Sequence, residues 1–368
     1  LTICPVVKAL TTAFFIRSIV GMEKVKNNKR IEWIDSLKGA MMLAVIWSHS
    51  SANNTSGGYW ITASYMAVFY FLSGYIFKDK NNGFPKFLLG KAKRLLIPYF
   101  SYGTLLVLID AFIPMTPDDF DRSAANKWMG LLYSRYMLYP DNFSDNVFFL
   151  QSYDSTLWFL TSMFLTYLMF YCFLKSRNRR WFIIIAFVSG YILTFCPILL
   201  PWSVDTVPVT ALIMCGGYYF KNLSCDSASK KWKTAITTII LLVYVVAIKQ
   251  NAGINLSIRC YGTGALAYIF YYVIAFTGAI LWTILFSKLP GNKGLQFIGK
   301  HGVTYMCLQL FTLSVSHKVF SKLISNPVIL GWIGIGVTLV GVGIVIEMYD
   351  RLRMLMKMKC NSNGLLRP

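Results

Sequence analysis

Residues 35–51 read DSLKGAMMLAVIWSHSS. The ten residues between Lys38 and His49 carry no charge, and the run is apolar enough to enter a bilayer. Ionisable groups in such a run are costly in hydrocarbon, so they face a cavity, a partner or the headgroups. Eleven positions at 3.6 residues per turn make almost three turns, which puts Lys38 and His49 on one helical face roughly 16 Å apart. The helix therefore carries a polar stripe, with Lys38 near one boundary and His49, followed by Ser50 and Ser51, near the other. Taken alone, Asp35 reads as a helix cap and Lys38 as a lysine snorkelling to the headgroups. His49 reads either as a hydrogen-bonded interior side chain or as a group that exchanges a proton near neutral pH.

The rest of the chain fits that setting. Of 368 residues, 56% are hydrophobic and only 14% charged, with 27 Phe, 22 Tyr and 10 Trp, a composition of polytopic membrane proteins. Runs of mainly apolar residues lie near 36–52, 60–77, 95–113, 157–174, 181–199, 205–220, 234–248, 263–287, 301–320 and 327–346. The expected fold is thus all-α, with about ten transmembrane helices. The stretch before Met22 is broken by Lys8 and Arg17 and is too short in its apolar part to span, so residues 1–21 read as an upstream extension.

Charge orients these spans. With both termini cytoplasmic, 27 of the 34 Lys and Arg from Met22 onward fall on the inner side, Lys38 at its boundary and the others in KVKNNKR, KDKNNGFPKFLLGKAKR, KSRNRR, KNLSCDSASKKWK, SKLPGNKGLQFIGK and the basic tail 351–368. The net charge of +21 then reflects topology and attraction to anionic lipid, and nucleic acid is excluded as a partner. The eight cysteines show no metal-ligand spacing, and no metal is expected. The long loop 114–156 faces outside and holds six aspartates, Trp128 and six Tyr or Phe between Tyr133 and Phe149, rings that suit either sugar stacking or interfacial anchoring.

Several short elements then recur in a fixed order. RIEWIDSLKGAMMLAVIWSHS has a basic residue, ten intervening residues and a histidine; YMAVFYFLSGYIF ends its aromatic run in Ser73-Gly74-Tyr75; KAKRLLIPYF places Lys91 and Arg94 before an Ile-Pro step. LWFLTSMFLTYLMFY opens on Leu157, Trp158 and Phe159, and LQFIGKHGVTYMCLQLF is a late glycine-containing element. Together these resemble the acyltransferase-3 family of integral membrane acyltransferases over about residues 30–346, so that 22–350 reads as the membrane acyltransferase domain. Two departures stand out. The late family element commonly ends in Tyr-x-x-x-His, whereas Tyr305 is followed by Gln309, and the basic pair is Lys91 and Arg94 where two arginines are usual. His301 stands near the inner boundary and reads as an interface residue.

The resemblance implies transfer of an acyl group, often acetyl, from acyl-CoA as co-substrate to a hydroxyl of a cell-surface or lipid-linked saccharide in a bacterial cytoplasmic membrane. A fucose-type or other hexose O-acetylase is the first expectation. Lys91 and Arg94, helped by Lys93, would hold the CoA phosphates. His49 would take the acceptor's proton or carry the acyl group, and Lys38 would steady the pantetheine arm or an oxyanion. Ser73, Tyr75, Trp158 and Gln309 are further candidate substrate contacts. A transporter or flippase of lipid-linked saccharide also accounts for the spans and the intramembrane charges, but not for the joint spacing of the basic pair and His49.

Overall fold

A computed structural model describes residues 31–54, 58–78, 83–112, 123–140, 147, 155–222 and 230–364. The expectations for residues 1–21 and for much of the loop 114–156 lie outside the described residues. Those described form helices and connecting turns with no strand, apart from an isolated bridge between Asn255 and Cys260. The helices are α1 (Glu32–Ser48), α2 (Tyr59–Thr62), α3 (Tyr65–Tyr75), α4 (Phe84–Phe112), α5 (Ala124–Tyr133), α6 (Trp158–Lys175) and α7 (Arg179–Leu193), followed by α8 (Val207–Asn222), α9 (Lys230–Gln250), α10 (Ala267–Lys288), α11 (Lys293–Lys300), α12 (Gly302–Phe320) and α13 (Pro327–Gly364). Among the described residues, four segments are long and apolar enough to cross a membrane: Phe84–Asp110, Ser155–Lys175, Ala267–Lys288 and Pro327–Leu352.

The core lies where α3, α6 and α8 meet α1 and α10, with Leu37, Val68, Tyr70, Leu72, Phe170 and Met214 fully buried. Close helix approach depends on residues without a side chain. A Cβ at Gly74 would run into the carbonyl of Met214, and one at Gly217 into the carbonyl of Phe71, so α3 and α8 cross backbone to backbone. Gly39 and Gly299 play the same part between α1 and α11, against Leu295 and Asp35. Outward faces of α7, α9 and α13 leave Ile185, Leu242 and Val340 exposed, as suits a lipid surround.

Three apolar runs take a different form from their sequence reading. The run 60–77 breaks between α2 and α3, because the Tyr244 hydroxyl donates to Trp60 O at 2.7 Å, the carbonyl that Ser64 N–H would otherwise reach. Ser64 Oγ also meets the Tyr244 hydroxyl at 2.9 Å. The run at 95–113 starts at Phe84, eleven residues early, so the basic segment is helix and not loop, with Pro85 in the first turn where its missing N–H costs nothing. Pro98 inside the same helix leaves the Arg94 carbonyl without its usual donor. The final run extends as α13 through Gly364, so the basic tail continues the helix for most of its length.

Candidate functional site

Two cavities open against opposite ends of α3 and α6. The first, of about 400 Å³, is lined by His49, Ser48 and Asn53 from the end of α1, Tyr65 and Met66 from α3, Trp158 and Phe159 from α6, and Tyr271 from α10. Tyr136, Met137 and the segment Ile254–Ile258 close its remaining side. The second, of about 430 Å³, is lined by Ser73 and Phe77 beyond α3, by Lys86, Lys91 and Arg94 on α4, and by Tyr167, Tyr171 and Lys175 on α6, with Lys78 beside them. Ala67 to Ser73 on α3 and Phe159 to Tyr167 on α6 separate the cavities by about 9–12 Å of helical rise.

His49 caps the C-terminus of α1, its backbone N–H donating to Val45 O at 3.3 Å. Its side chain is exposed to the space of the first cavity, and no hydrogen bond to a described residue holds either ring nitrogen. Among the described residues the cavity lining has no Asp, Glu, Lys or Arg, so the imidazole is the one ionisable nitrogen that they present to it. Most of the polar groups around it are committed: Ser48 Oγ donates to Val45 O at 2.8 Å, Thr156 Oγ1 to Met306 O at 2.9 Å, and Ser257 Oγ to Asn255 Oδ1 at 2.6 Å. Tyr65 is hydrogen-bonded to Ser48.

The second cavity has the opposite character. Among the described residues it presents five cations, Lys78, Lys86, Lys91, Arg94 and Lys175, and no acidic residue. Lys91 is half-buried, with Nζ 3.2 Å from the centre of the Tyr167 ring and within 6 Å of the Phe87 and Phe77 rings. Such a cage holds an ammonium by its attraction to the ring faces and leaves the other four cations at the open side. Tyr167 is in turn hydrogen-bonded to Ser73, and Ser73 Oγ donates to Phe69 O at 2.8 Å. Between the cavities, Phe159 packs edge-on against Phe69 and Tyr70 with ring centres 5.7 and 5.4 Å apart. Polar pairs flank that layer: Tyr70 with Ser162 at 2.9 Å and Thr166 with Thr210 at 2.6 Å.

The sequence-selected residues thus fall into three groups. His49 and Trp158 share the first cavity, and Lys91, Arg94 and Ser73 share the second. Lys93, Lys38, Tyr75 and Gln309 line neither. Lys93 points away from its neighbours on α4 and is exposed, while Lys86, Lys78 and Lys175, which sequence spacing did not single out, take the place expected for it. Tyr75 is fully buried between Trp33 and Phe220, so within Ser73-Gly74-Tyr75 only the serine faces a cavity, the glycine admits α8 and the tyrosine fills the core. Lys38 stands beside the α1–α11 crossing at Gly39, about 16 Å of helix from His49, so the stripe does not converge on one set of reacting atoms. Gln309 is fully buried, its Nε2 3.6 Å from Met306 Sδ and its Oε1 without a protein partner. His301 joins α11 to α12, its Nδ1 3.1 Å from Phe297 O.

On the outer side of the first cavity, Asp205 binds Arg135 through one oxygen and Arg259 Nη1 through the other at 2.9 Å. Both arginines also donate to backbone carbonyls, Arg135 to Leu200 and Ser257 and Arg259 to Ile198 and Cys196. This cluster fastens the segments that carry Tyr136 and Ser257 into the cavity wall. Among the described residues no group of three His, Cys, Asp or Glu is placed to hold a metal ion.

The arrangement of a lone histidine in a neutral cavity, backed across an aromatic layer by a nest of cations, suits a reaction between a polyanionic carrier and an uncharged partner. Comparison with known proteins agrees in kind. A family model described as an acyltransferase domain, that of acyltransferase-3, matches residues 31–348. Comparison with the curated proteins and with the solved structures finds no match. With that model covering the helices that build both cavities, the chain belongs to the acyltransferase-3 family and is a membrane acyltransferase.

Proposed function

We propose that the protein is an O-acyltransferase that moves an acyl group, acetyl first, from acyl-CoA to a hydroxyl of a cell-surface or lipid-linked saccharide. It does so as a ten-span protein of the bacterial cytoplasmic membrane with both termini inside. The observation that carries this reading is the pairing of the two cavities along α3 and α6: among the described residues, five cations without an acid line one end, and a histidine without a charged neighbour lines the other.

Lys86, Lys91, Arg94, Lys78 and Lys175 hold the phosphates of the CoA, Arg94 by its planar fork and the lysines as point charges. The Lys91 cage fixes the position of one charge before the ligand arrives, which lowers the cost of ordering the site. The arm bearing the thioester then reaches along the helices toward His49. There the acceptor hydroxyl loses its proton to the imidazole as it attacks the thioester carbonyl. Trp158, Tyr65 and Tyr136 supply the flat, partly polar walls against which a sugar ring packs. Lys38, at the far end of α1, is assigned to the CoA side of the path.

Transfer of labelled acetyl from acetyl-CoA, in membranes holding the wild type or His49→Ala with the host's saccharide fraction as acceptor, tests this. Label entering saccharide only when His49 is present supports the reading. Full transfer by His49→Ala in a well-inserted protein would falsify the assignment. Movement of saccharide across sealed vesicles without acyl-CoA would establish transport instead.

A further inference from the structure

An acyl transfer at His49 needs a hydrogen-bond donor for the oxygen on which negative charge develops. Among the described residues the lining of the first cavity offers no cation for that task. Its hydroxyl groups divide unequally. Ser48, Thr62, Thr156 and Ser257 each donate to an oxygen of the protein, and Tyr65 is bonded to Ser48, whose own proton already goes to Val45 O. Ser155 and Tyr136 also have partners. Tyr271 differs. It lines the cavity from α10, is 1% exposed, and its hydroxyl has no hydrogen-bond partner.

A buried phenol with nothing to bond is disfavoured, and removing its oxygen would ordinarily be neutral or stabilising. Its ring is held on two sides, by Tyr261 at 5.2 Å and Tyr272 at 6.2 Å between centres, so the side chain is fixed although its polar end is unsatisfied. Tyr271 thus brings to the lining of the histidine's cavity a buried hydroxyl that no protein group engages, the property that a preorganised donor requires.

We propose that Tyr271 is a catalytic residue of the acyl transfer, its hydroxyl donating a hydrogen bond to the carbonyl oxygen of the thioester as that oxygen becomes an oxyanion. The proposal rests on the acyl-transfer reading above. In the step, the acceptor oxygen bonds to the thioester carbonyl carbon while its proton passes to His49. The carbonyl electron pair moves onto oxygen, where Tyr271 stabilises it. Collapse re-forms the carbonyl and breaks the carbon–sulfur bond, and the proton held by His49 goes to the departing thiolate. The products are the saccharide ester and CoA thiol. The donor role expected of Lys38 from the sequence is thereby filled from α10 by a neutral group.

The test uses the full chain in membranes, with labelled acetyl-CoA as donor and the host's saccharide fraction as acceptor, comparing the wild type, His49→Ala, Tyr271→Phe and a 3,5-difluorotyrosine at position 271. Tyr271→Phe should lower kcat about a hundredfold, keep KM for acetyl-CoA within about twofold, and leave the melting temperature of the purified protein equal or higher. The difluorinated side chain, a stronger donor, should keep activity and move the pH profile of kcat. A Tyr271→Phe kcat equal to that of the wild type, or a difluorinated variant with an unshifted profile, overturns the role of Tyr271 while leaving the acyl-transfer reading intact. A wild type that transfers no label overturns the reading itself. A parallel fall in melting temperature and activity, with the fluorinated profile unmoved, reduces Tyr271 to a packing residue.

Discussion

Replacing Asp205 by Asn tests how the outer wall of the histidine cavity is held. The Asp205 carboxylate is fully buried, and it serves two guanidinium groups that are themselves 0% and 2% exposed. Its second oxygen also accepts from Leu200 N–H at 3.4 Å. Asparagine keeps the shape but removes the only anion, leaving two buried cations that face each other across an amide. Breaking a buried pair by losing one partner costs about 3–5 kcal/mol. Here one carboxylate neutralises two cations, which pushes the cost up, while four carbonyl bonds from Arg135 and Arg259 survive, which pulls it down. An effect near the middle, about 4 kcal/mol, follows. The backbone adds to it: Ser134, Arg259, Trp202 and Ser203, the non-glycine residues at positive φ among those described, all lie in the segments that Asp205 ties together. Each such conformation costs on the order of 1–3 kcal/mol and persists only while its surroundings enforce it. Thermal unfolding in detergent, with Arg351→Ala as control, reads the result. Arg351 pairs with Glu347 at 3.1 Å on the exposed side of α13, and its loss should stay within about 0.5 kcal/mol. An Asp205→Asn protein that melts with the Arg351→Ala control would refute the idea that the buried cluster holds the wall.

Gly74→Val should cost about 1–3 kcal/mol or prevent accumulation in the membrane, because its side chain meets the Met214 carbonyl and cannot shift without moving α8; the yield of folded protein in detergent measures it. Tyr167→Phe should leave the half-saturating acetyl-CoA concentration nearly unchanged, since the ring face under Lys91 remains, whereas Tyr167→Leu should raise it several-fold. Lys86→Gln, which removes an exposed cation from the same cavity, should raise that concentration and flatten its dependence on salt, and a salt slope equal to the wild type's would count against phosphate contact there. Phe69→Ala should open the layer between the cavities and let water reach the thioester, seen as CoA release in the absence of acceptor above the wild-type rate.

The helical nature of the chain was legible because each apolar run is long and its ends are marked by cations or by Pro and Gly. The errors arose where a side chain from elsewhere intervenes. Nothing in YWITASYM announces that Tyr244, some 180 residues later, will take the Trp60 carbonyl and break the helix. Likewise the basic stretch before Leu95 reads as loop by charge, yet its cations sit on a helix and face a cavity whose floor is aromatic. Within the candidate site, spacing placed His49 on a helix and the family resemblance singled out Lys91 and Arg94, but neither could tell which neighbours point the same way. Lys93 is adjacent in sequence and turned outward, whereas Lys175 comes from α6 and lines the same space. Tyr271 carried no sequence signal, because one tyrosine in AYIFYYVIAF looks like any other until the commitments of the hydroxyls around it are known.

The separation of charge along α3 and α6 bears on why, among the described residues, the histidine has no carboxylate beside it. A carboxylate would fix one tautomer and raise the basicity of the ring, as in hydrolases that face bulk water. In a cavity lined by neutral groups the added anion would stand uncompensated at a depth where charge is costly, and under the proposed function it would repel the polyphosphate carrier assigned to the cations of the second cavity. A thioester with a good leaving group asks less of the base, so the imidazole alone suffices if its ring is held and the oxyanion is met by a donor. The α1 C-terminus holds the ring's backbone, and the aromatic layer of Phe69, Tyr70 and Phe159 lies between the histidine and the cations. In the proposed reaction, phosphate capture and proton transfer thus occupy separate cavities, and the arm that bears the acyl group passes between them.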